Sequence, residues 1–282
     1  MILKKDVLPA WGNLKVKDIT RRQIVTLLDQ VKSRSQLAAN NLHARLSMFF
    51  IFAVKRGIPG IDVSPFINID VPAHRNKRKP ILDNEKVKIV WNKLDTLSIH
   101  ENLKARLRLL LLTAQRRNEL GFAEKSEFDL KTNEWTIPST RTKNGITQVV
   151  PPSRQALKIV MQLFDKNPNT KWLLSSNYGE DQPFPERALS RAVRNNEAQF
   201  TTDDDKPIPH WSPHDLRRTA TTTMTGQCKI DRFIVRIVLN HKEPKEFEIT
   251  DISDRHEYIA EKRRALQKLA DKIDEILDEN HG

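Results

Sequence analysis

Cysteine is nearly absent from the sequence. The single residue, Cys228, excludes an intramolecular disulfide framework and a zinc site built from several thiolates. It points to a reducing compartment, and a cytoplasmic location is expected. Long apolar runs are also lacking. The best, Leu107 to Thr113, is interrupted by Arg108 and is too short to span a bilayer. The first residues, MILKKDVLPAWG, do not follow the plan of a secretory signal, so no membrane association is expected. No internal repeat or low-complexity tract is present. No acidic cluster suited to magnesium is evident, so neither a metal nor another cofactor is expected. Tyrosine is scarce, with only Tyr178 and Tyr258 in 282 residues.

What is abundant is charge on a globular background. Hydrophobic residues make up 38% and charged residues 30%, enough for two modest domains with cores of their own. The formal charge is +12, and its distribution is uneven. Residues 1–79 hold 15 Lys and Arg against 5 Asp and Glu, whereas residues 80–282 hold 33 against 31. A basic first module beside a nearly neutral second one suggests a polyanion clamp attached to a catalytic body. Surface lysines that only keep the chain soluble would give the same total.

Local patterns predict a mainly helical α+β protein with a small β-sheet. Thr20 and Gln23 form a capping-box pattern before Ile24, Leu27, Leu28 and Val31, which share one helical face. A second helix is predicted from Gln36 to Arg56, carrying Leu42, Leu46, Phe49, Phe50 and Ala53, with Gly57 as its stop. The stretch VPAHRNKRKP, from Val71, reads as a linker. Its Arg75, Lys77, Arg78 and Lys79 could follow a phosphate backbone, or simply solvate a hinge. Asp83 caps a helix bearing Val87, Val90, Trp91 and Leu94, and a buried helix follows to Leu120. Trp135–Ile137 and Ile146–Val150 read as strands, with Asn144–Gly145 as the hairpin turn between them. The expected domains are 1–74, a linker at 75–80, and 81–282.

Four short segments carry the chemistry. They contain Arg116 with Glu119, then Lys143 at the hairpin tip, then His214 with Arg217, and last His241. Each alone is a weak signal, since a cap arginine or a hairpin lysine is usually solvated. Together and in this order they resemble the motif set of tyrosine recombinases of the phage-integrase type. Those enzymes have an arginine followed three positions later by an acidic residue, a hairpin lysine, a His-x-x-Arg motif, and a later His or Trp. The segments LKVKDIT and MFFIFAVKRG resemble the core-binding domain of prophage and genomic-island integrases. The resemblance covers nearly the whole chain. Ala114 stands where the family usually has Gly.

The resemblance implies a helical core-binding domain and a mixed α/β catalytic domain, closing as a C-shaped clamp on duplex DNA. It implies site-specific recombination for integration or excision of a mobile element, with double-stranded attachment sites as substrate. The chain would be a monomer when free and a homo-tetramer on DNA, in the bacterial cytoplasm. The arm-binding domain usual in this branch is not visible before the core-binding module. The physical logic supports the same chemistry. Attack on a phosphodiester gathers charge on its nonbridging oxygens, and two guanidiniums, Arg116 and Arg217, can present paired donors to them. Lys143 suits a general acid that protonates the leaving 5′ oxygen. His214 and His241 can shuttle a proton or hydrogen-bond the phosphate, and Glu119 can orient a neighbour. A 3′-phosphotyrosine intermediate conserves bond energy, so neither metal nor nucleotide is required.

The nucleophile is where the pattern breaks. Related integrases read Tyr-Asp-Arg-His-x-Tyr, with the first tyrosine attacking. Here the stretch is Ser253-Asp254-Arg255-His256-Glu257-Tyr258. Either Ser253 occupies the nucleophile position and the chain does not recombine, or Tyr258 is the working nucleophile. A non-catalytic DNA-binding protein on a decayed integrase scaffold is therefore the alternative. A type IB topoisomerase shares the chemistry, but the first module argues against it. The apolar stripe Leu266, Leu269, Ile273, Ile276 and Leu277 marks a C-terminal helix. In this family such a helix contacts a neighbouring protomer; packing on its own domain is the other possibility.

Overall fold

The computed structural model describes residues 3–72, 82–166, 168–176, 181–241 and 258–279. The chain divides into two compact units, Met1–Arg78 and Lys79–Gly282. Helix dominates both, and the named strands form two small antiparallel sheets in the second unit. The mainly helical α+β class expected from the sequence is therefore the one observed. The basic residues Arg75, Lys77, Arg78 and Lys79 lie outside the described residues, as does Tyr178.

The first unit is built on α1 (Arg21–Arg34) and α2 (Gln36–Lys55). Thr20 Oγ1 accepts from the Gln23 amide, and the Gln23 side chain accepts from the Thr20 amide, the reciprocal cap the sequence predicts. Ile24, Leu27, Leu28 and Val31 of α1 meet Leu42, Leu46, Phe50 and Ala53 of α2, and Trp11, Ile61 and Phe66 complete this core. Each such side chain contributes about 1.5–3 kcal/mol on burial. Phe49 does not belong to that set. It is 45% exposed and meets Phe50 edge-on, because one residue along a helix turns a side chain by about 100° away from the buried face.

A second correction concerns apolar length. α2 is long and apolar enough to cross a membrane by length and composition, with a mean hydropathy of 1.2. It shows no uninterrupted apolar run because His43 and Arg45 break the pattern. One face of the helix is used as core packing.

The second unit comprises α3 (Asn84–Thr96), α4 (Glu101–Thr113), α5 (Arg117–Gly121), α6 (Arg154–Lys166), α7 (Ala188–Asn195), α8 (Pro213–Thr222), α9 (Arg232–Val238) and α10 (Ile259–Asp278). Asp83 caps α3 by accepting from the Lys86 amide at 3.0 Å. Helix α4 is buried on nearly all sides and packs against α8, α6 and α10. A helix buried nearly all round is a central helix, here even with Lys104 and Arg106 among its buried residues, and it is the frame on which the site is mounted. The larger sheet joins β1 (Phe128–Asp129), β2 (Glu134–Ile137) and β3 (Gln148–Val150), with Trp135 opposite Val150 and Ile137 opposite Gln148.

Two expectations change here. The connection between β2 and β3 runs from Pro138 to Thr147, so Asn144–Gly145 is not a two-residue hairpin turn. Gly145 has a φ of 73° while Asn144 does not take a positive φ, and the Asn144 side chain points its hydrogen bonds to a distant segment. Of the two packings open to the apolar stripe of α10, the one observed is on its own unit. Leu266, Leu269, Ile273 and Ile276 are buried in the core of their own unit, and Leu277 packs against it, because the helix closes over α3, α4, α6 and α9.

Candidate active site

The site begins where α4 ends. Ala114 closes the helix in the left-handed conformation, φ 54° and ψ 20°, which explains why glycine is the easier residue there. The chain then extends through Gln115 and Arg116 and re-enters helix at Arg117. Glu119 is 1% exposed. Its carboxylate accepts from the Arg116 amide at 2.9 Å and from Arg116 Nη1 at 2.8 Å. The three-residue spacing therefore does local work: the acid caps α5 and holds the guanidinium that precedes it.

Helix α8 brings the second guanidinium. Pro213 opens it, and Asp215 accepts from both the amide and the hydroxyl of Ser212, at 2.9 and 2.7 Å. His214 is the exposed residue of an otherwise buried first turn, and Arg217, three residues on, is 5% exposed. Arg217 Nη1 donates to the Ala114 carbonyl at 2.6 Å and Nη2 to the Leu239 carbonyl at 2.7 Å. One side chain thus ties the end of α4 to the end of α9. Burial, followed by the nearby Arg116 charge, lowers the Arg217 pKa to about 10, against an opposing pull from Glu119. The guanidinium remains protonated at neutral pH.

Beyond α9, Asn240 has a φ of 49°, and the His241 amide donates to the Arg236 carbonyl at 3.1 Å. Partial burial, then the charges of Arg217, Arg116 and Arg236, hold His241 below the usual imidazole value. His214 is lowered by partial burial and by Arg217, with Asp215 opposing. Arg217 is thus the common neighbour: its charge acts on both histidines, and Arg116 and Glu119 act on it in turn. Both histidines tend toward neutrality at pH 7, so each can accept a proton.

Lys143 is exposed on the β2–β3 connection. Tyr258 immediately precedes α10 and packs edge-on against Phe233, with ring centroids 5.5 Å apart. Ser253 lies outside the described residues. Among the described residues, no group of three or more His, Cys, Asp or Glu is placed to hold a metal ion.

Several supporting residues carry no signal in the sequence. Gln115 and Gln148 are buried, and both donate to the Val238 carbonyl, at 3.0 and 2.8 Å. Arg141 donates to the Glu119 carbonyl at 2.7 Å and pairs with Glu127. Arg106, 1% exposed within α4, donates to the Arg117 carbonyl at 2.6 Å, and Gly121 leaves room for its guanidinium. Only the oddity of polar residues in otherwise apolar surroundings could have flagged them, and it would not have named their partners.

The family model described as the phage integrase family matches residues 80–249. The chain is 26% identical to prophage integrase IntZ of Escherichia coli over 99% of its own length and 66% of that protein. It is 23% identical to prophage integrase IntA of the same organism, over 96% of this chain and 63% of that one. The chain thus spans about two thirds of the length of these curated relatives. In fold it is similar to a lambda integrase dimer bound to a core site, with a TM-score of 0.67, 18% identity, and coverage of 86% of this chain and 67% of that one. A lambda integrase tetramer bound to a Holliday junction gives a TM-score of 0.67 at 17% identity, over 88% of this chain and 71% of that one. With the family's motif set spread along it and the family model matching more than half its length, this chain belongs to the phage integrase family of tyrosine recombinases.

Proposed function

We propose that the second unit binds a scissile phosphodiester of an attachment-site duplex and supports its cleavage and rejoining in site-specific recombination, with the basic first unit gripping the DNA backbone. The observation that carries this reading is that Arg217, three residues after His214, donates to the carbonyls of Ala114 and Leu239, each two residues before Arg116 and His241, so one side chain joins three separate stretches of sequence. Among the described residues, Arg116 uses one guanidinium N–H on Glu119, and Arg217 uses two on carbonyls. Most of the five donors on each remain for the nonbridging oxygens, where negative charge develops during attack. His214 or His241, tending toward neutrality, accepts the proton of the attacking hydroxyl. Lys143 gives a proton to the 5′ oxygen as the P–O5′ bond breaks. A tyrosine oxygen then carries the 3′ phosphate, and a 5′ hydroxyl of the partner strand reverses the step to rejoin. Strand exchange of this kind requires four protomers on two sites.

Ser253 favours a second reading, a DNA-binding protein without recombinase activity. Serine lacks the reach of a phenol, and its hydroxyl ionises far less readily than a phenol of pKa about 10. The test is a nicked duplex recovered from a random-sequence pool by binding to this chain. The chain as it stands should form no covalent adduct with it, and Ser253→Tyr should form one mapped by mass spectrometry to position 253. An adduct on Tyr258 in the unaltered chain would make Tyr258 the nucleophile. No adduct in either, with binding retained, would leave the non-catalytic reading.

A further inference from the structure

Lys143 sits on a long connection, yet a general acid must be held close to one oxygen atom. The segment has an internal frame. Thr142 Oγ1 accepts from the Ile146 amide at 2.9 Å and donates to the Ser139 carbonyl at 3.1 Å. Arg141 ties the start of this connection to Glu119 and Glu127, and a pair of amides fastens the part that follows Lys143. Asn144 Nδ2 donates to the Asn240 carbonyl at 3.1 Å and to Asn240 Oδ1 at 2.9 Å. In return, Asn240 Nδ2 donates to Asn144 Oδ1 at 3.2 Å and to the Ile146 carbonyl at 3.3 Å. Lys143 is the residue before one of these asparagines, and His241 is the residue after the other.

The residue types fit this use better than a local one. Asn240 has a φ of 49°, a conformation that glycine adopts without strain and asparagine tolerates. Glycine would satisfy the backbone but remove this tie to Asn144 and Ile146. An aspartate would keep the acceptor and lose both donors. Asn144 does not take a positive φ, and the one local bond of its side chain, Oδ1 accepting from the Ile146 amide at 3.3 Å, would be served equally by aspartate, whereas the bonds of its amide N–H groups to Asn240 would not. The far side of the clasp is also anchored, since Gln115 and Gln148 hold the Val238 carbonyl and Arg217 holds that of Leu239.

We propose that Asn144 and Asn240 are a positioning pair that locks the Lys143 segment to the His241 segment, so that the leaving-oxygen proton donor and the phosphate-side histidine are set as one body. This rests on the recombinase reading of the site and deepens it. Neither asparagine touches substrate; each acts through its neighbour.

The test uses the full chain with Ser253→Tyr as parent, and adds Asn240→Gly, Asn144→Ala, or both. Asn240→Gly removes the side chain while keeping the backbone conformation easy, so folding is retained. In the DNA-free protein, amide hydrogen exchange across residues 139–147 should quicken by about tenfold or more on losing several hydrogen bonds. The double variant should add little to either single one. Cleavage is then measured on two versions of the nicked duplex recovered by binding, one with the ordinary 5′ oxygen and one with a 5′-bridging sulfur. When the P–S bond breaks, sulfur departs as a thiolate and needs no proton. The variants should cleave the oxygen duplex about 10²-fold more slowly than the parent, within the range of a general-acid contribution. They should match the parent within a few-fold on the sulfur duplex. An equal deficit on both duplexes, or no deficit on oxygen, overturns the proposal. A parent that cleaves neither duplex overturns the recombinase reading and the catalytic role of the pair together, whereas failure of the pair alone appears as a parent that cleaves and variants that lose nothing.

Discussion

The two guanidiniums look equivalent in the sequence, but their surroundings give them different burdens, and lysine substitution separates these. Among the described residues Arg116 makes one side-chain hydrogen bond, to Glu119, and its side chain is 24% exposed. Lysine keeps the charge and can keep that ion pair, so Arg116→Lys should change stability by no more than about 1 kcal/mol. Arg217 is a buried clip between the carbonyls of Ala114 and Leu239. A single ammonium at that position can reach one of them at best. A lost bond to a charged donor costs about 1.5–3 kcal/mol. For a domain of this size that is a fall in Tm of roughly 3–12 °C. Both variants lose the planar fork, so in a Ser253→Tyr background both should cleave about 10²–10³ more slowly. Duplex binding should hold, because charge is retained and other phosphate contacts remain. The assays are thermal unfolding, gel-shift binding and single-turnover cleavage of a nicked duplex. An Arg217→Lys protein that melts with the parent would refute the clip. An Arg116→Lys protein that cleaves like the parent would refute paired recognition of the phosphate.

Three further outcomes are expected. Duplex affinity should fall by about 10³–10⁵ between about 50 and 200 mM salt if about 6–10 phosphates are neutralised, and a flat titration would sink the basic-grip reading. His214 and His241 are held below their ordinary value, so the folded chain binds fewer protons than the unfolded one as pH drops below about 6.5. Their contribution is therefore intact above that pH and is lost as pH falls through the folded values. The loss between pH 7.5 and 5.5, measured by urea unfolding, should shrink in a His214→Gln, His241→Gln double variant, and an unchanged loss would contradict the assignment. Gly121→Ala would place a methyl group 1.8 Å from Arg106 Nη2, a guanidinium buried in α4 with little room to retreat. Overpacking of this kind costs about 1–3 kcal/mol, and an unfolding curve matching the parent's would refute it.

The sequence alone determined what short-range physics controls. The Thr20 and Asp83 caps, the face of α1 and the buried character of α4 follow from hydrogen bonds and periodicities that act within about one helical turn. The ordered motif residues sufficed to indicate the family, because they are spaced along the chain by the chemistry they share. What the tertiary structure decided depends on partners far away in sequence. The exposure of Phe49, a single step round from Phe50, was set by where α1 lies against α2. The stripe of α10 could have met a neighbouring protomer or its own unit, and only packing chose its own. Asn144–Gly145 carries a strong local turn signal, yet the Asn144 side chain is claimed by Asn240. Gln115, Gln148 and the double clip of Arg217 were invisible for the same reason. A buried amide or guanidinium needs partners for its donors, and which carbonyl supplies them is fixed only when distant helices meet.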